Sequence, residues 1–463
     1  MIKKDNNKLP NVIRKVLMLM IIYFGLSMSV LWLLKESVFG EDESIYSYDS
    51  TGRLILYFSG DGNDDNSGAN ENSPKKDPSA FISCDNTAIL LKSGDVFFTP
   101  GYTVNAGHNV LITTYGGEKK AVIDGTQKSN SSYAQYKSGI YQVNLNARDI
   151  GGLIEDGGYN YKRVSKMEYL KNDGEYFYDT DNGVLYRKSS KDLTGNVATY
   201  TFGYYSSAGI GIIEGSEGIT VSNLEIRNFA NHGIAIGGET NDISIIGCYV
   251  HHIGGCNGYG GGARQGNAIQ GWCDLENNIT ITDNVCEYVI DAAITFQDIY
   301  TGAQGNSSNL IIKNNYTNNC FYGIELFNLT DKTVDCSIYD NYLFNCIDIS
   351  GGYRYRWETL EPEIQEPKAL KAGTMNSGDK ILFSDNICIS EEGISLFLDS
   401  ENPSVYDFNN NVFIAPTAFV IDSNSYYNST TDIFMDISGV LTKEQKELLI
   451  YYQKAGDEKV GNK

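Results

Sequence analysis

The sequence predicts an all-β fold, a right-handed parallel β-helix solenoid. Two observations carry this: a strand–turn–strand unit recurs along the chain, and an asparagine recurs at its turn. The unit is visible in ITVSNLEIRN (219–228), ISIIGCYVHH (243–252), ITITDNVCEY (279–288), LIIKNNYTNN (310–319) and CSIYDNYLFN (336–345). Each segment opens on period-2 apolar alternation, turns, and resumes a shorter alternation. Aligned, they place Leu224, Cys248, Asn284, Asn315 and Asn341 in one column, and ILFSDNICIS (381–390) and FNNNVFIA (408–415) extend it with Asn386 and Asn411. Stacked asparagines can bond one another rung by rung, because each amide carries both donors and acceptors. Asparagine also tolerates the left-handed backbone of a sharp bend. The shortest spacing, 24 residues from Leu224 to Cys248, is one rung, and longer spacings are insertions. An apolar period of 2 excludes a helical solenoid.

The remaining chain is placed around this core. Residues 1–15 form a short basic segment, and Val16 to Leu34 is an uncharged run of 19 residues. That length suits a transmembrane signal-anchor helix. Lys3, Lys4, Lys8, Arg14 and Lys15 before it keep the N-terminus cytoplasmic, which puts the rest outside the membrane. A cleaved signal peptide is the alternative, with Val38 and Gly40 as small residues at the cut. Residues 35–53 read as a linker and 54–125 as the first rungs. Residues 126–203 read as an inserted β-rich module, with a hairpin in GEYFYDTDNGVLYRKSS (174–190) turning at Asp181-Asn182-Gly183. The β-helix core resumes over 204–416. Residues 417–463 form a cap whose segment LTKEQKELLIYYQKA (441–455) reads as a short helix covering the solenoid end.

Composition bounds the function. A net charge of −22 repels phosphate backbones and argues against nucleic acid as a partner. Glycine (48) and tyrosine (33) are abundant and proline (8) is scarce. Nine cysteines include no C-x-x-C pair, so no zinc ribbon is implied. Cys320 and Cys346 each follow a ladder asparagine by five residues and should stack on adjacent rungs, as free thiols or as a disulfide. No cofactor is expected. Asp61, Asn63 and Asp65 alternate as calcium ligands do, but Asn72 stands where such a loop needs a glutamate, which favours a polar turn. A monomer is expected.

A second alignment locates the chemistry. In NHGIAIG (231–237), GNAIQGW (266–272), DAAITFQ (291–297) and FYGIELF (321–327), Ile234, Ile269, Ile294 and Ile324 make an inward column. The following position, Ala235, Gln270, Thr295 and Glu325, points outward. Gly233, Ala268, Ala293 and Gly323 precede the isoleucines, and the pattern predicts that they also face outward as a smooth floor. An open groove for a chain-like ligand follows, overhung by insertions at 254–266, 298–309 and 350–379. The last insertion carries Tyr353, Arg354, Arg356 and Trp357, suited to stacking on sugar rings and bonding hydroxyls. His232, Arg264, Asn267 and Gln297 are further candidates for substrate contact.

In LYFSGDGNDDNSG (56–68), LKSGDVFF (91–98), TTYGGEKKAVIDG (113–125), GEYFYDTDNGVLY (174–186) and the run from NHGI to YGIELF, the chain resembles pectate-lyase-like β-helix proteins that act on polysaccharides. Among these, it is similar to glycoside hydrolases of the xylosidase and fucosidase kind. The resemblance implies an acidic pair matching Asp291 and Glu325, and it departs at Gln270, where many relatives carry an acid. Hydrolysis needs two carboxyls about 5–9.5 Å apart across the scissile bond. A straight strand would put Asp291 about 13 Å along from the Glu325 column, so the chain has to bend there. Asp348 is the geometric rival: were Ile349 to continue the isoleucine column, Asp348 would sit about 8 Å from Glu325. The leading expectation is a membrane-tethered glycoside hydrolase cleaving a polysaccharide or oligosaccharide. A lyase or epimerase acting on uronate glycans, using Arg264, Arg354 or Arg356, is the alternative. A non-catalytic glycan-binding or assembly protein is the third reading.

Overall fold

The structure, a computed structural model, describes residues 45–145, 147–203, 208–257, 264–272, 276–297, 307–329, 334–353, 367–375, 380–390, 393–399, 405–414, 417–421 and 426–427. The expected anchor, the C-terminal helix, and Arg354, Arg356 and Trp357 lie outside them. Among the described residues, no helix is long and apolar enough to cross a membrane.

Parallel strands coil into a solenoid. One face is a ten-stranded sheet running from Leu54–Phe58 to Tyr406–Asn409, every neighbour parallel. The other two faces form a continuous sheet, because Val285–Gln297 and Tyr316–Leu329 each run unbroken round a corner. Isoleucine, leucine and valine fill the inside, and one core cluster extends from Leu56 to Val405.

The asparagine ladder is continuous. The Asn284 side-chain amide donates to Asn315 Oδ1 (3.0 Å), Asn315 to Asn341 (3.0 Å), Asn341 to Asn386 (2.9 Å) and Asn386 to Asn411 (2.8 Å). Each amide also donates to a carbonyl of the preceding rung, as Asn315 does to Ile281 (2.9 Å). Just before the ladder, Asn223, Asp283, Asn314, Asp340, Asp385 and Asn410 take φ between 52° and 59°. These are residue types that enter the left-handed region at low cost. The bend is therefore coded by two adjacent residues, one left-handed and one inward.

Between Ala121–Asp124 and Ala208–Ile213 stand two four-stranded antiparallel sheets with their own apolar cluster, which includes Tyr141, Leu153, Tyr176, Tyr178 and Leu185. Their hairpin pairs Tyr176–Asp179 with Val184–Lys188 and turns through Gly183 at φ 67°. Cys320 and Cys346 are both buried free thiols. Asp61 to Asp65 lies in a turn stapled by backbone donors, with the Asn63 side chain accepting from Asp65 N–H (3.1 Å).

One insertion is shorter than expected. The stretch 350–379 contains the strand Lys368–Met375, which pairs in parallel with Tyr322–Leu329 and belongs to the solenoid. Its alternation KALKAG was masked by the charged segment before it.

Candidate active site

The face that carries Glu325 is built from stacked strands in strict register. Ile234, Ile269, Ile294, Ile324 and Leu370 form one fully buried column. Beside it run Ala235, Gln270, Thr295, Glu325 and Lys371. Lys371, not Asp348, is therefore the rung neighbour of Glu325.

The polar column is covered. Gln270 and Thr295 have no exposed surface, and Glu325 is 4% exposed. Nor do the small residues make an outer floor. Ala268 and Ala293 belong to the core cluster, and a Cβ on Gly233 would lie 2.4 Å from the Val250 side chain. Small residues sit here because the chain turns its corner against the core, so the open groove is replaced by an enclosed polar cluster.

Glu325 is held by two groups. Lys371 Nζ lies 2.6 Å from Oε1, and Thr295 Oγ1 donates to Oε2 (3.3 Å). The Lys371 ammonium also lies 4.7 Å from the Tyr322 ring centroid, and Lys368 lies 5.5 Å from it. Burial acts to lower the Lys371 pKa, but Glu325, Tyr322 and Asp291 together outweigh it and hold it above the ordinary lysine value. Lys371 thus stays charged. Asp291, 8% exposed, sits where Val285–Gln297 rounds its corner, and its register slips against the next strand between Val289 and Ala292. That bend brings Asp291 into the electrostatic field of Lys371.

Asn267 ties the neighbouring strands together. Its amide donates to Gln270 Oε1 (2.8 Å), its Oδ1 accepts from Ala292 N–H (2.9 Å), and its N–H donates to His232 Nδ1 (3.2 Å). His232 is 7% exposed, and burial lowers its pKa to about 3. It is therefore neutral, with its proton on Nε2. Trp272 stands edge-on to it at 6.3 Å. Gln270 Nε2 is buried and has no partner among the described residues. Such a donor is costly unless a ligand or water meets it. Gln297 is half-buried at the end of its strand, in register with Trp272 and Phe327.

Three expected site residues do other work. Arg264 is fully buried and donates to Gly255 O (2.8 Å) and to the carbonyls of Gly151 and Tyr161 in the inserted sheets. Asp348 closes a turn, accepting from Ser350 N–H (2.9 Å) and Gly352 N–H (2.8 Å). Tyr353 donates its hydroxyl to Glu175 Oε1 (2.8 Å) and packs on the inserted sheets. Lys371 and Lys368 escape the sequence reading because their rung reads as an insertion, whereas Tyr322 lies in the aligned segment FYGIELF without a polar-column position.

No protein-family model matches the sequence, and neither does any curated protein. Solved β-helix structures do resemble the chain. The GH136 lacto-N-biosidase of Eubacterium ramulus is 16% identical with a TM-score of 0.48, over 79% of this chain and 62% of that enzyme. The chain thus spans less than two thirds of that enzyme's length. XylC, solved with xylose, is 12% identical (TM-score 0.42; 79% and 70% covered). The polygalacturonase from Erwinia carotovora ssp. carotovora is 12% identical (TM-score 0.38; 83% and 99% covered). The likeness is one of architecture.

Proposed function

We propose that the protein is a carbohydrate-active enzyme, a glycoside hydrolase whose carboxyl pair is Glu325 and Asp291. The observation that carries this reading is the buried Glu325–Lys371 pair with Asp291 acting on the same ammonium. Glycoside cleavage requires two carboxyls flanking the scissile bond, and Glu325 and Asp291 both act on the one ammonium of Lys371. Lys371 supplies the counter-charge that suits Glu325 to the role of nucleophile or base, and Asp291 is the second carboxyl of the pair. Gln270 Nε2, the buried donor that meets no partner among the described residues, is the group offered to a ligand oxygen. A lysine held protonated against a carboxylate is poorly suited to abstract a proton, which weighs against Lys371 as the base of a lyase.

The test is cleavage of a panel of 4-nitrophenyl glycosides and natural glycans by wild type, Glu325→Gln and Asp291→Asn. New reducing ends made by wild type and lost by about 100-fold or more in both variants are expected. Full activity in both variants would remove the assignment. Unsaturated, ultraviolet-absorbing sugar ends would mean a lyase, and glycan bound but unchanged would mean a binding protein. The expected membrane attachment is part of this proposal and is read by fractionating cells that express the full chain.

A further inference from the structure

We propose that the inserted sheets act as a clamp on the candidate site, with Arg264 as the positioning residue that transmits their hold to Asn267. This deepens the hydrolase reading and, for its kinetic test, rests on it.

The seam between the inserted sheets and the solenoid is lined by glycines that leave no room for a side chain. A Cβ on Gly151 would lie 2.2 Å from Gly254 O, one on Gly255 2.8 Å from Gly151 O, and one on Gly203 2.7 Å from Ala230 Cβ. Backbone therefore meets backbone across the seam. Asp149 of the inserted sheets accepts from Asn257 N–H (2.7 Å), and Phe202 O accepts from Ala230 N–H (2.7 Å). Arg264 fills the centre. It reaches carbonyls on both sides, Gly255 on its own segment and Gly151 and Tyr161 opposite. The Tyr176 hydroxyl donates to the same Gly151 carbonyl (2.8 Å) and lies 3.5 Å from the guanidinium.

Only two residues separate Arg264 from Asn267. The intervening Gly266, at φ 134°, lies with its Cβ position 2.2 Å from Asn231 O, so the chain there has no slack. Asn267 then fixes Gln270, Ala292 and His232 at once. Ala292 directly follows Asp291. A shift at Arg264 is thus handed to both Gln270 and Asp291. The rung above is tied to the same sheets through Tyr353 and Glu175 (2.8 Å), on the segment that leads to Lys371.

Lysine in place of Arg264 keeps the charge but cannot bond three divergent carbonyls. The experiment uses full-length wild type, Arg264→Lys, and Ile89→Ala as a control that loosens a distant core rung. Two readouts are taken: kcat and KM on the best-cleaved 4-nitrophenyl glycoside, and amide hydrogen exchange. In folded Arg264→Lys, kcat is expected to fall about 10- to 100-fold with KM little changed, since misplacing reacting groups by about 1 Å costs up to about 100-fold. The Asn267 and Ala292 amides are expected to exchange faster, and Ile89→Ala to leave both readouts at this site unchanged. Unchanged kcat and unchanged exchange in Arg264→Lys, or an equal kcat loss in Ile89→Ala, would overturn the clamp. Should Arg264→Lys fail to fold, Tyr353→Phe decides: a lowered kcat supports the clamp and a wild-type kcat refutes it. Should wild type cleave nothing, the hydrolase reading fails, and the exchange result judges the clamp alone.

Discussion

His232 makes the stability of this protein depend on pH in a way that can be worked out. Its Nδ1 accepts from Asn267 N–H, so a second ring proton would set two N–H groups against each other. Burial lowers its pKa from 6.5 in the unfolded chain to about 3. A histidine depressed on folding contributes full stability above its unfolded pKa and loses it as pH falls from 6.5 toward 3. Between pH 7 and pH 5 the loss from this residue is about 2 kcal/mol, because the unfolded chain takes up the proton that the folded chain refuses. A folded pKa one unit higher or lower barely alters this figure, since pH 5 stays above it. His232→Asn keeps an acceptor oxygen near Nδ1 and removes the titration. Urea unfolding of wild type and His232→Asn at both pH values isolates the term as the difference between their pH slopes. Equal slopes would show that His232 protonates freely in the folded state and that the Asn267 contact is not as described.

Two further substitutions probe the polar column and the ladder. Lys371→Met strands Glu325 without its counter-charge, and about 3 kcal/mol of stability should be lost, as for other buried pairs broken on one side. Urea midpoints measure this, and cleavage by the folded variant should fall about 100-fold. Asn315→Leu removes a residue that donates to Asn341 and Ile281 and accepts from Asn284 N–H and Nδ2. At least about 3 kcal/mol should be lost, because the buried Ile281 carbonyl and both Asn284 donors on the preceding rung are left unmet. Asn411→Leu, at the half-exposed end of the ladder, should lose less, and equal losses would mean that burial does not set the ladder's worth.

The solenoid was legible because its signal is local and repeated. Each bend is written in two adjacent residues, and the asparagine column survives insertions of any length between rungs. Glu325, Thr295 and Gln270 were found in register for the same reason. What hid the rest was the third dimension. Small residues before the isoleucines look alike whether a corner turns toward the core or away from it, so the groove was inferred where a covered cluster stands. Arg264 looks like a ligand-binding arginine until the inserted sheets supply its carbonyls. Lys371 could be placed only once the strand Lys368–Met375 was seen to be a rung.

The ladder also has a direction. In every step the earlier rung donates and the later rung's Oδ1 accepts: Cys248 N–H to Asn284, Asn284 to Asn315, and onward to Asn411. A ribosome delivers these rungs in that same order. Each ladder amide meets a carbonyl of the rung before it as soon as it is made, but the corner's backbone N–H finds its acceptor only on the next asparagine, 25 to 45 residues later. A chain cut between Asn341 and Asn386 would lack the acceptor for the Asn341 N–H, the pair most widely separated along the ladder.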